Sequence, residues 1–316
     1  MGIEAPAEVK YSIIYEAVKL DNNLLNISMM CQIAGVSRSG YYSWLAAADY
    51  RRVCEDQDAR DFELVLDAYR FKGRPKGARG IYMRLLHTRN RMNLKKIRRL
   101  MHKYGLVCPI RSPNPYRQMA KAIKTNSVFP NVVNREFHKG GPRHILLTDI
   151  TYLFFANGKC YLSTILDAVT REILAYRVSL SLDVTFVLET LEELQRKHGA
   201  TLDDTTIVHS DQGCHYTSRA FIEKLKEFEF VQSMSRKGNC WDNAPQESFF
   251  GHFKDEVRDW IANCKAFEEV KLAVDDQMDY YNNDRYQWDL VKLSPREYYE
   301  YLKTGIYPLE PYRSET

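Results

Sequence analysis

The run from His144 to Phe155 constrains this chain more than any other stretch. It reads His144-Ile145-Leu146-Leu147-Thr148-Asp149-Ile150-Thr151-Tyr152-Leu153-Phe154-Phe155. The pattern predicts one strand, apolar apart from a single acid, and a strand so apolar belongs in a covered sheet. Asn157-Gly158 follows as a tight hairpin turn, Cys160–Val169 as a second strand and Arg171–Leu180 as a third. The pattern then alternates. A helix over Val184–His198 turns Phe186, Leu188, Leu191 and Leu194 inward, and Thr205–Ser210 is a short strand. Ser218–Phe228 is a helix, Val231–Ser235 a fifth strand, and Ala244–Trp260 and Ala266–Asn282 are helices. Three strands joined by hairpins, then helix and strand in turn, predict an α/β fold: a mixed five-stranded sheet flanked by helices.

Three acids stand at distinct places on that sheet. Asp149 interrupts the first strand, where a desolvated, unpaired carboxylate costs several kcal/mol; an Asp on the solvent face of an edge strand would read the same way. Asp211 closes a strand in His209-Ser210-Asp211-Gln212-Gly213, although Asp is also an ordinary turn residue. Glu247 lies in the first turns of a late helix, with 35 residues between it and Asp211. Alone it reads as a surface glutamate. In a mixed sheet the three points can converge at one edge. Hard oxygen donors of this kind favour Mg²⁺ or Mn²⁺. Two such ions, about 3.5–4 Å apart, support in-line displacement at phosphorus. Lys254 lies two helical turns beyond Glu247 on the same face, placed for a phosphate or simply for solvent.

Other chemistries fit poorly. His209, Cys214 and His215 match no usual four-ligand zinc spacing. Ser210 lacks the G-x-S-x-G context of a nucleophilic serine, and no G-x-x-x-x-G-K-[ST] phosphate loop exists. The seven cysteines are scattered without a C-x-x-C pair, which argues against a disulfide framework.

Net charge is only +4, yet its distribution is lopsided. Ala68–Arg135 carries 18 Lys or Arg and no acid, leaving 27 basic and 41 acidic residues elsewhere. Ordinary surfaces mix both signs. A long stretch of one sign predicts contact with nucleic-acid phosphates. Helical patterns accompany it. Ser28–Ala34 stops at Gly35, and Ser37 caps a second helix running to about Ala47, as in a helix-turn-helix exposing Arg38 and Ser39, or in a plain helical hairpin. Asp58–Tyr69 is a helix, Lys72–Gly80 a basic loop, and Asn93 caps a helix whose apolar stripe is Leu94, Ile97, Leu100, Met101 and Tyr104. The candidate DNA contacts are Arg38, Arg79, Lys95, Lys96, Arg98, Arg99, Lys103 and Lys254, with Arg236, Lys237 and Asn243 on the approach to Glu247. Cys108–Asn131 is a basic, proline-rich linker.

The expected organisation is an N-terminal helical segment over 1–57 and a basic helical DNA-binding domain over 58–107. A linker over 108–135, a catalytic core over 136–265 and C-terminal helices over 266–316 follow. No signal-peptide pattern occupies Met1–Lys10, no long uncharged apolar run occurs, and no heptad pattern persists. These absences predict a soluble, intracellular protein with no membrane partner and no coiled-coil dimeriser.

The motifs together resemble the DDE transposases of bacterial insertion sequences, and specifically the OrfB-type catalytic product of the IS-three family, within the retroviral-integrase superfamily. The resemblance rests on Asp149-Ile150-Thr151-Tyr152, His209–Gly213, the Gly238–Ala244 loop, and Glu247 with Lys254. It continues through Tyr281-Asn282-Asn283-Asp284-Arg285 and Leu293–Tyr298, and the basic 62–107 segment resembles the family's helical DNA-binding region. Leu146 stands where the family often has Trp, and Gln287-Trp288 replaces a commoner His-containing motif. The resemblance implies an RNase H-like core with Asp149, Asp211 and Glu247 as metal ligands. It also implies Mg²⁺-dependent cleavage at the element's terminal repeats and transfer of the freed 3′-OH to target DNA. The implied partners are double-stranded DNA, further copies of the chain on paired ends, and an upstream-frame helix-turn-helix and leucine-zipper protein, free or fused. The implied location is the bacterial cytoplasm, at the nucleoid when bound to DNA. Two other readings share these residues: a metal-dependent nuclease without strand transfer, and a DNA-binding regulator whose core no longer reacts.

Overall fold

A computed structural model describes residues 5–20, 23–108, 129–235 and 240–309. The chain divides into two compact units, one of residues 1–68 and 98–106, the other of 69–97 and 107–316.

The first unit begins with α1 (Ala7–Val18), α2 (Ile27–Ala34) and α3 (Arg38–Ala46). The sequence dictates each boundary. The Asn26 side chain accepts from the Met29 amide to start α2, and Gly35 ends it at φ 65°. Ser37 then accepts from the Gly40 amide to open α3. A Cβ on Gly40 would collide with the Tyr11 hydroxyl, so the close approach of α1 to α3 requires glycine there. Ile14, Met30, Cys31 and Tyr41 form the small core, with Tyr11, Tyr15 and Trp44 packed around it. The predicted two-helix turn is therefore present, with a third helix across it.

α4 spans Ala48–Arg70 without a break, so the expected division at 57/58 falls inside a helix. α5 covers Ala78–His87 and α6 Leu94–Lys103. Asn93 caps α6 by accepting from the Lys96 amide. Arg99 grips Asp58 of α4 with two 2.6 Å bonds, while Lys103 reaches Glu55 at 2.6 Å and Asp58 at 2.8 Å.

The second unit is built on β1 (Ile145–Phe155), β2 (Gly158–Asp167), β3 (Ile173–Ser179), β4 (Ile207–Ser210) and β5 (Val231–Met234). The sheet order is β3-β2-β1-β4-β5. β1–β2 and β2–β3 are antiparallel, as hairpins require, and β1–β4 and β4–β5 are parallel, as helical crossovers require. This is the predicted mixed sheet of an RNase H-like fold. Alternation along β1 sends Ile145 and Leu147 into one core and Leu146 into the other. The first core is closed by α9 (Ala244–Asn263) and α10 (Phe267–Asn283), through Phe249, Phe253, Val257, Val274 and Met278. The second is closed by α7 (Val184–His198) and α8 (Arg219–Glu227), through Phe186, Leu191, Leu194, Phe221 and Leu225.

The tail motif has a structural task. Asn282 bonds both the amide and the carbonyl of Ile173, at 2.9 and 2.8 Å, and so holds the start of β3. Arg285 bonds Glu256 at 2.8 Å. α11 (Pro295–Thr304) opens with a reciprocal cap between Ser294 and Glu297. The stretch before α5, and α5 itself, are tied to this tail. Lys72 pairs with Asp284 at 2.7 Å, Arg74 with Asp276 at 2.6 Å, and Arg84 with the Tyr286 hydroxyl at 3.2 Å. The basic loop over Lys72–Gly80 thus meets acids of its own chain. The lopsided charge of the sequence is in part a long-range internal complementarity, which a local charge count does not show.

Among the described residues no helix is long and apolar enough to cross a membrane.

Candidate active site

Three elements bring the acids together. The parallel register of β1 and β4 pairs Leu147 with His209. Asp149 lies two residues further along β1, on the same face as Leu147, which packs in the core closed by α9, and Asp211 lies just past the end of β4, near enough for its charge to act on Asp149. Glu247 enters in the first turn of α9. The approach of that helix is set by its neighbour Gln246, which is fully buried and donates from Nε2 to Thr164 Oγ1. Thr164 is the direct cross-strand partner of Asp149. Phe249, Phe250 and Phe253 then embed α9 in the core.

Electrostatics record the convergence. Burial pushes the Asp149 carboxyl up to about 7, and the charges of Asp211 and Glu247 add to the rise. The Ile150 amide, donating to Asp149 Oδ1 at 2.7 Å, and the Lys254 ammonium pull the other way. Lys254 is half-buried on α9, and burial lowers its own pKa while Asp149 raises it. Asp211 is exposed and accepts from the Gly213 amide at 2.8 Å. A Cβ at Gly213 would stand 2.9 Å from that carboxylate oxygen, so a larger residue there would shift the Asp211 carboxylate. Tyr216 lies wholly buried beneath the pair. Its hydroxyl is 3.5 Å from Thr148 Oγ1, and burial beside Asp149 and Asp211 holds it well above its ordinary range.

Asp149 is within electrostatic reach of both Asp211 and Glu247. Among the described residues, however, no three acidic, His or Cys side chains are close enough to hold one metal ion. The donor set nevertheless fits a hard divalent cation: it is all oxygen, anionic, and self-repelling to the point of raising Asp149.

Behind the site is a buried polar support that sequence reasoning missed. Asp242 accepts from Arg135 Nε at 2.8 Å and from Asn131 at 3.0 Å. His209 is buried, bonded to Ser233 at 2.9 Å, and held neutral with its pKa lowered to about 4 by desolvation. The Val132 amide donates to the same Ser233 hydroxyl at 3.0 Å. The end of the expected linker is therefore stitched to the sheet, with Arg135 committed to Asp242. The only sequence signal was that Asp242 belongs to the Asp242-Asn243-Ala244 motif.

The other expected DNA contacts are dispersed. Arg38, Arg79, Lys95 and Arg98 are exposed. Lys96 is half-buried, and Arg99 and Lys103 face Asp58 and Glu55. Asn243, at 5% exposure, is buried at the head of α9 and offers DNA no surface, because the helix start must pack under the Asp242 cluster. Arg236, Lys237 and residues 109–128 of the linker lie outside the described residues.

Two models of the integrase core domain match the chain, over residues 140–240 and 247–301, and a model of an HTH-like domain matches 55–114. The putative transposase InsK for insertion sequence element IS150 of Escherichia coli is 31% identical over 269 residues, covering 85% of this chain and 92% of the relative. The chain belongs to the IS-three family of insertion-sequence transposases. The transposase for insertion sequence element IS629 of Shigella sonnei is 32% identical over 225 residues, 70% of this family member and 72% of the relative. Among solved structures, the HTLV-2 integrase catalytic core domain in complex with magnesium aligns with a TM-score of 0.40 at 14% identity, over 50% of this chain and 97% of that one. The family's HTH-like match covers the basic helical segment, and its integrase-core matches cover the five strands and most of α9, and with them all three acids.

Proposed function

We propose that this transposase cuts DNA at the ends of its insertion sequence and joins each freed 3′-OH to a second phosphodiester. The observation that carries the reading is that Asp149 on central strand β1, Asp211 just past neighbouring strand β4 and Glu247 in the first turn of α9 come close enough that two of them raise the third. Asp149, Asp211 and Glu247 would hold Mg²⁺ or Mn²⁺. When bound, such ions, two per site, stabilise the charge that develops on the attacking and leaving oxygens of an in-line displacement. The chain supplies the rest. Lys254, beside Asp149 on α9, neutralises a non-bridging phosphate oxygen. The Gln246–Thr164 bond orients the helix carrying Glu247 toward Asp149. Buried Tyr216 and neutral His209 keep the floor under the acids free of further charge. In the first step water attacks phosphorus and the 3′ oxygen leaves with a proton. In the second that 3′-OH attacks another phosphodiester, whose own 3′ oxygen leaves, so the number of phosphodiester bonds is conserved. The substrate is double-stranded DNA gripped by the helical segments ahead of the core. By family resemblance, several copies act on paired ends.

The test incubates labelled element-end DNA and Mg²⁺ with the wild-type chain and with Asp149→Ala. Joined products from the wild type, absent with the variant, are the expected result. Cleavage without joining would reduce the protein to a nuclease, and cleavage that survives the substitution would remove Asp149 from the reaction.

A further inference from the structure

The second unit carries a cationic and aromatic surface that lies apart from the three acids. A tight turn over Trp288–Leu290 is pinned by buried Leu290 and Leu293 and followed by Val291 and Lys292 at φ 48° and 70°. Two successive non-glycine residues in the left-handed region are uncommon, and for β-branched Val291 the conformation is strained. Trp288, at the start of this turn, is 41% exposed. Arg79 of α5 sits 5.3 Å from its ring centroid, Lys292 5.4 Å, and the Tyr82 ring 6.1 Å. Beside it opens a cavity of about 370 Å³ lined by Tyr82, Arg89, Lys292 and Tyr307 among others. Its one acid, Glu297, is paired with His87 at 3.1 Å.

The cations here differ from their neighbours on the same arm. Lys72, Arg74 and Arg84 have partners in the tail. Arg79, Arg89 and Lys292 have no carboxylate partner among the described residues, so their charge remains available to phosphate. Arg79 and Lys292 both lie over the exposed indole, so a base that has left its own stack covers the ring by displacing one of them toward a flanking phosphate. The cavity has room for a nucleoside and not for two paired strands.

We propose that this surface binds an unpaired DNA strand, with one base stacked on Trp288 and the flanking phosphates held by Arg79, Arg89 and Lys292. The inference rests on the reading that the chain acts on DNA, and it adds a second binding surface, for strand that has separated from its complement. Base stacking on an aromatic tolerates any sequence, which suits a surface that meets ends and targets that differ.

The experiment measures anisotropy of two fluorescein-labelled probes, a twelve-nucleotide oligothymidine and a duplex of random sequence, with the full chain across a salt series. Trp288→Ala should weaken oligothymidine binding by roughly tenfold, while Trp288→Phe keeps binding within about threefold of wild type because a ring remains. The double variant Arg79→Gln, Lys292→Gln, which changes only exposed or half-buried charges, should flatten the single-strand salt slope by roughly 1.4. Duplex binding should move by less than about twofold in the Trp288 variants, because stacked bases offer no free face. Unchanged oligothymidine binding in both Trp288→Ala and the double variant overturns the proposal, as does an equal loss on both probes. If the wild type bound neither probe, the transposition reading would fall and this inference with it. Intact duplex binding without a Trp288 effect removes this inference alone.

Discussion

Asp149 and Asp211 lie side by side because each stands two residues beyond the same pair, Leu147 and His209, in the parallel register of β1 and β4. The sheet register brings the chain to this point, and the turn that begins at Asp211, just past β4, completes it. Neighbouring strands run about 4.8 Å apart, so the fold itself presses two carboxylates together. Burial then lifts Asp149 to about 7. Native packing maintains this repulsion, and a bound cation would relieve it.

That relation predicts a metal-dependent stability. Mg²⁺ added at about 100 times its dissociation constant should stabilise the second unit by about 2.7 kcal/mol, which raises its melting temperature by a few degrees. Asp149→Asn should abolish most of that rise. In the absence of metal it should melt at or slightly above the wild type, because one of three mutually repelling charges is gone. Calorimetry with and without Mg²⁺ decides it, and an undiminished rise in the variant would show that Asp149 is not a ligand.

The Gln246–Thr164 bond should couple stability to activity. Thr164→Val leaves the buried Gln246 amide without its acceptor, at a cost of about 1–3 kcal/mol. Gln246→Leu removes the polar group itself. In a double-mutant cycle the two should therefore fall short of additivity by about 1 kcal/mol. The single Thr164→Val variant should also lose turnover on end DNA, because the helix bearing Glu247 is no longer tied opposite Asp149. Strict additivity in chemical denaturation would argue that the bond contributes nothing.

How far the sequence reveals these features depends on the range of the physics involved. Hairpin turns, caps and strand alternation act within a few residues. The existence of the first hairpin, the Ser37 and Asn93 caps and the order of strands and helices from His144 onward are accordingly legible from the chain alone, although the turn itself is Ala156-Asn157, one residue earlier than the Asn157-Gly158 the sequence suggests, because Gly158 already pairs with Phe155. Convergence of the three acids is legible only as an option, since the register that sets Asp149 beside Asp211 is a pairing across 62 positions. Long-range ion pairs leave no local trace. Nothing near Arg135 announces Asp242, and nothing near Lys72 or Arg74 announces Asp284 or Asp276. Counting basic residues therefore overstates how much of the 68–135 stretch is available to DNA.

The same distinction sorts the cations of α6. Arg98 and Lys95 are exposed, whereas Arg99 makes a two-bonded pair with Asp58, whose carboxyl is held far below the usual range by Arg99 and Lys103. Arg98→Gln should flatten the salt dependence of duplex binding by about 0.9 for each phosphate it no longer neutralises, and leave melting unchanged. Arg99→Gln should do the reverse, lowering the melting temperature of the first unit with little change in salt slope. Equal salt slopes for wild type and Arg98→Gln would exclude that face of α6 from the DNA interface.

Two imidazoles should make the catalytic unit acid-sensitive above the range in which carboxylates titrate. His209 is fully buried with its pKa lowered to about 4 by desolvation. His198 is lowered to about 4 by desolvation and by the nearby Arg143 guanidinium, which is itself buried in ion pairs with Asp167 and Glu172. Both values lie below the ordinary 6.5, so the unfolded chain binds these protons first as pH falls. Their contribution is fully present above about pH 6.5, declines as pH drops, and is lost by about pH 4. For fully buried His209 this is on the order of 3 kcal/mol, and for half-exposed His198, where solvent screens the effect, it is on the order of 1 kcal/mol. His198→Gln, at the end of α7, should remove the smaller part of the decline, roughly a quarter, while leaving the β4–β5 region intact. Denaturant titrations from about pH 7.5 down to about pH 4 provide the measurement. A flat stability profile across that window, or one that His198→Gln leaves unchanged, would mean that protonated imidazole is tolerated beside Arg143.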